Sequence, residues 1–103
     1  MTDETKNIFA KKAVVNGIET AFVGWYILST GWEVYLTSSF DADGYADAFV
    51  QGAESEFGSV SFEEHKPYIR AMCVDAEFAK DVELGNLAPP IGGKWIEDNT
   101  TFH

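Results

Sequence analysis

Between residues 41 and 64 the chain carries seven carboxylates, Asp41, Asp43, Asp47, Glu54, Glu56, Glu63 and Glu64, and no lysine or arginine. Three chemistries could use such a run: ligation of a divalent cation, capping of a helix, or capture of a cationic partner. Ligation is testable on spacing. With Asp41, Asp43 and Gly44 at positions 3, 5 and 6 of a 12-residue calcium loop, Ser39 falls at position 1, Asp47 at 9 and Val50 at 12. The last position must give both oxygens of a glutamate, and valine gives none. Capping fits better, because an aspartate before a first helical turn accepts bonds from free backbone N–H groups and suits the helix dipole. Asp41 or Asp43 would be that cap, which leaves the other carboxylates unexplained.

Nucleophilic catalysis finds little material. His65 follows Glu63 and Glu64, and Cys73 lies eight residues on. On one continuous helix that offset is two turns long and about 80° around the axis, beyond hydrogen-bond reach. Cys73 reads as a small buried hydrophobe and His65 as a solvated first-turn residue. Two histidines, His65 and His103, and one cysteine match no zinc spacing. Gly92-Gly93 follows prolines and is no phosphate loop, and Asn99-Thr100-Thr101 reads as a chance glycosylation match. No catalytic residue, metal or cofactor is expected.

Capture of a cationic partner uses the charge as a whole. Seven basic against seventeen acidic residues give −10, and the imbalance is local. Residues 1–37 hold three basic and four acidic groups, whereas residues 38–103 hold four and thirteen. A chain with six lysines and one arginine has no basic stripe to displace phosphate counterions, so direct binding to nucleic acid or an anionic membrane is excluded as an expectation.

The elements that would position these groups start with a hairpin. Asn16-Gly17 between β-prone runs is the chemistry of a two-residue type I′ turn, pairing Val15 with Ile18, Ala13 with Thr20 and Lys11 with Phe22. The second strand runs on to Leu28, with Phe22, Tyr26 and Leu28 on one face and Ala21, Val23, Trp25 and Ile27 on the other. A third strand follows at Trp32–Thr37. A two-residue turn would set Trp32, Val34 and Leu36 with Trp25, a three-residue turn with Tyr26 and Leu28.

Beyond Phe40 the period lengthens. Ala46, Phe49, Val50, Ala53 and Phe57 make one helical stripe, with Gly58 at the C-cap. Ser61 and Glu64 form a capping box for a second helix whose stripe is Ile69, Met72, Cys73, Ala76 and Ala79, ending near Gly85. Pro67 either starts that helix after a short turn at 62–65 or kinks it.

The expected fold is α+β: a three-stranded antiparallel meander followed by two helices packed on one face (βββαα), with an extended C-terminal tail. Residues 1–7 form a frayed lead, 8–85 a single domain, and 86–103 the tail, anchored by Trp95 and Ile96. A composition of 46% hydrophobic residues suffices for one core, and the lone cysteine with no leader-like N-terminus points to the cytoplasm.

The function expected is a non-enzymatic protein-binding module whose acidic face docks on a basic surface, including one that ordinarily holds nucleic acid. In size and charge the chain is similar to small acidic phage and mobile-element proteins that block restriction or CRISPR nucleases, a similarity of bulk properties with no motif behind it. The alternative is a structural or self-associating protein, dimerising through an aromatic sheet face of Phe22, Tyr26, Leu28 and Tyr35.

Overall fold

Asn16 and Gly17 take φ of 54° and 79°, as a type I′ turn requires, and the hairpin they close has the expected register. Its strands are β1 (Lys11–Val15) and β2 (Ile18–Phe22), with Val15 opposite Ile18, Ala13 opposite Thr20 and Lys11 opposite Phe22. The computed structural model describes residues 9–96. The expected lead over 1–7, the end of the tail with Asn99-Thr100-Thr101, and His103 lie outside the described residues.

The second strand does not run unbroken to Leu28. It divides at Val23 into β2 and β3 (Gly24–Leu28), which belong to different sheets. Alternation slips there by one residue. Phe22 and Trp25 join one core, whereas Val23, Tyr26 and Leu28 join another. Gly24 sits at the slip, where an added Cβ would come within 2.8 Å of Val74 and 3.0 Å of Leu36.

β4 (Glu33–Leu36) returns through the three residues Ser29, Thr30 and Gly31, with Leu28 N–H bonded to the Trp32 carbonyl at 2.9 Å. Tyr26 then faces Val34 and Gly24 faces Leu36, which is the three-residue register.

The expected helix over 46–57 is a β-hairpin, β5 (Tyr45–Gln51) with β6 (Ser55–Ser61). Phe49 and Val50 are adjacent apolar residues that point to opposite faces, each covered by a core. Adjacent buried residues blur a period of two, and the same residues then satisfy a helical stripe.

The second expected helix also divides. Ser61 does cap a helix, accepting from Glu64 N–H at 3.3 Å, but α1 (Phe62–His65) is one turn long. Pro67 lies in a 3-10 turn, Lys66–Tyr68, so the short turn at 62–65 forms, yet a strand follows it, β7 (Ile69–Val74). α2 (Asp75–Glu83) ends at Gly85, whose φ of 78° closes a Schellman motif: Asn86 N–H bonds the Asp81 carbonyl and Gly85 N–H that of Val82.

The βββαα arrangement is therefore overturned. Two antiparallel sheets form, of order β2-β1-β8 and β6-β5-β4-β3-β7, with β8 at Lys94–Trp95. The two short helices cover opposite faces of the larger sheet. On one face Tyr35, Phe49 and Cys73 meet Ala13, Val15 and Phe22 of the small sheet, with Phe78 of α2, Leu87 and Trp95. The Trp95 indole donates to the Leu87 carbonyl at 2.8 Å, and the Tyr35 hydroxyl to that of Ala88 at 3.0 Å. On the other face Tyr26, Val34, Leu36, Ala48 and Val60 pack under Phe40, with Phe62 of α1 against Phe40 at 5.2 Å.

Candidate functional site

All seven carboxylates from Asp41 to Glu64 are exposed, and none is in an ion pair among the described residues, where Lys11–Glu83 and Lys12–Glu19 are the pairs formed. They do not share a helix face. Asp41 clasps its own loop: its Oδ1 accepts from the N–H groups of Asp43 and Tyr45, each at 2.9 Å, and its carbonyl from Gly44. It caps a turn entering a strand, not a helix. Asp43 sits at that turn, Asp47 projects from β5, and Glu54 lies in the turn that joins β5 to β6. Seven strand residues at about 3.4 Å each separate the two ends of that hairpin. Asp47 and Glu56 point to opposite faces, since Asp47 shares the side of Phe49, and Glu56 pairs with Val50 on the other. Glu63 and Glu64 lie on α1.

Two of the seven do meet. Glu56 and Glu64 line a groove of about 220 Å³ with Trp32, Val50, Val60 and His65, beside the edge strand β6. α1 builds one wall because Ser61 starts a helical turn at the end of β6 and folds it back over the sheet. Trp32 builds another. Its indole lies flat on Gly52, where a Cβ would overlap the ring at 2.5 Å, and it keeps 43% of its surface exposed.

Behind the groove the Tyr26 hydroxyl meets His65 Nδ1 at 2.6 Å. Burial raises the Tyr26 phenol to about 12, so it stays protonated. Burial also lowers His65 from its ordinary value, against an opposing pull from Glu64. The pair is thus neutral at pH 7, and the groove presents two carboxylates, an indole and a neutral imidazole. Cys73 lies across the sheet from His65, in the opposite core; burial foremost, then Asp81 and Glu77, pushes its thiol up to about 12. A Cys–His pair does not form. Among the described residues no three of His, Cys, Asp and Glu converge on a metal position, and no helix is long and apolar enough to cross a membrane.

No protein-family model, curated protein or solved structure matches this chain. The reading of the site rests on its own chemistry.

Sequence reasoning missed Trp32, Tyr26 and His65 as neighbours, and these are brought together by a fold in which 39 residues separate Tyr26 from His65. The hydroxyl-to-imidazole contact leaves no local spacing to find. The aromatic face offered for self-association is also corrected. Phe22, Tyr26, Leu28 and Tyr35 are all buried, and they divide between two cores.

Proposed function

We propose that this chain is a non-enzymatic protein-binding module that docks on a basic surface of another protein, including a surface that ordinarily holds nucleic acid. The observation that carries the reading is the set of seven exposed carboxylates between residues 41 and 64, without an internal cationic partner among the described residues. Ordinary solvated faces intersperse lysine and arginine. Here the uncompensated field steers cationic partners and rejects anionic ones. A phosphate backbone is repelled by the same field, so the partner is a protein.

The test is affinity capture by the intact chain at about 50 mM salt against a variant with Glu54, Glu56, Glu63 and Glu64 changed to glutamine, a low ionic strength at which surface charges are least screened. Asp41 is left alone because it holds a loop. The wild-type protein is expected to retain a specific basic protein that about 0.5 M salt releases and the variant does not hold. Equal capture by wild type and variant contradicts the reading.

A further inference from the structure

We infer that the outer edge of β6 is a strand-addition site for an extended basic segment of the partner, and that the groove beside it receives one lysine or arginine side chain of that segment. The inference rests on the basic-partner reading and adds where and how the partner is held.

The edge is open and long. β6 ends the five-stranded sheet, has seven residues in unbroken register with β5, and contains no proline, lysine or bulge. Sheet edges that need protection carry such features. The competing edges are less suited: β2 has five residues against the seven of β6 and no groove from the acidic run beside it, β8 has two, and β7 pairs with β3 through a register shift and carries Arg70.

Backbone direction follows from the ends of the hairpin. Phe62 N–H bonds the Gly44 carbonyl and Gly52 N–H bonds that of Glu54. Alternation between those bonds turns the N–H and C=O of Glu56, Gly58 and Val60 toward β5, and those of Ser55, Phe57 and Ser59 outward. The outward groups have no partner among the described residues.

Side chains set the class of ligand. An added strand would place alternate residues on the groove side, where Glu56, Glu64 and the exposed Trp32 indole surround space left open above Gly58. Two carboxylates and an aromatic face suit an ammonium or guanidinium. The residues between would meet Phe57, which is 47% exposed while leaning on Phe49 at 4.8 Å, and so favour an apolar side chain. The segment therefore alternates basic and apolar residues. A second copy of this chain is disfavoured as the occupant, because it would bring a net charge of −10 against −10.

The probe is a blocked peptide of about eight residues alternating lysine and valine, titrated into the intact protein at low salt. A second peptide is identical but N-methylated at alternate amides, which removes strand pairing and keeps the charge. The expected result is binding of the first peptide, about tenfold weaker binding of the second, and slowed amide exchange at Phe57 and Ser59. Ser59→Pro removes one outward N–H and no bond to β5, so it should fold and bind about tenfold more weakly, as should the Glu56→Gln, Glu64→Gln double variant. If both peptides bind alike and Ser59→Pro matches wild type, the contact is charge alone: the edge inference falls and the basic-partner reading survives. No binding of either peptide, with the capture experiment still positive, also overturns the edge alone. A dimer of the free protein that Ser59→Pro dissolves would assign the edge to a second copy instead and overturn the inference.

Discussion

Tyr26 and His65 show what one buried polar pair contributes to a small sheet protein. The phenol is fully buried and its hydroxyl would be costly without a partner, which His65 Nδ1 supplies at 2.6 Å. Because burial holds His65 below the ordinary value of 6.5, the unfolded imidazole takes up a proton first as pH falls. The contribution of the pair is thus complete above pH 6.5 and declines as pH drops from there toward the lowered folded value. Urea unfolding of wild type and His65→Gln at pH 7 and pH 5 checks this: the stability advantage of wild type should shrink at pH 5, and a constant or growing advantage contradicts the sign. Gly52 offers a second test. Gly52→Ala must push the Trp32 ring off its seat, shifting indole emission to the red, and that difference should vanish in a Trp32→Phe background. Trp32 was invisible as a groove wall in the sequence, since only the fold sets it on a glycine twenty residues away.

At the scale of elements, two glycines should respond in opposite directions. Gly17 holds a positive φ of 79° in the β1–β2 turn, and Gly17→Ala is expected to cost about 1 kcal/mol. Gly58 lies within β6 without a positive φ and with nothing within 4 Å of an added Cβ, so Gly58→Ala should stabilise by about 0.5 kcal/mol. Chemical denaturation of both variants measures the pair. The turn at Asn16-Gly17 was legible with its full register because its chemistry is local. The caps at Ser61 and Gly85 were legible for the same reason, although the helices attached to them are short. The β5–β6 hairpin was not legible. Its strand β5 is covered on both faces, so Ala46, Phe49 and Val50 fit a helical period as well as a strand, and long-range pairing with β4 decides between them. The slip at Val23–Gly24 also escaped, because a chain that passes from one sheet to another leaves no punctuation beyond a single glycine. For the site, the absence of lysine and arginine from 41–64 is plain in the sequence, whereas the placement of the seven exposed carboxylates is not, because the helix expected over 46–57 is two strands whose residues alternate between faces.

For the whole molecule, a charge of −10 on 103 residues makes self-repulsion a measurable part of stability. The described residues show two ion pairs, both remote from the seven carboxylates. Raising sodium chloride from about 10 mM to 300 mM, where the Debye length falls well below 10 Å, should therefore raise the thermal midpoint. A midpoint that falls with salt would mean that attractive pairs dominate. The cores themselves are apolar and insensitive to salt, and Phe78→Ala in the fully buried cluster under Trp95 should cost about 3–5 kcal/mol at either concentration.

The pairing of β1 with β8 has a consequence for the order of folding. Ala13 waits for Trp95, and Phe22, Tyr35 and Phe78 wait for the same indole to close over them. The larger sheet, complete by Val74, needs no residue of β8 to pair its strands, but one of its aromatic faces stays unsealed until residues 94 and 95 dock. Closure across some eighty residues is then the late, slow event, and a chain halted before Trp95 would present that face to chaperones.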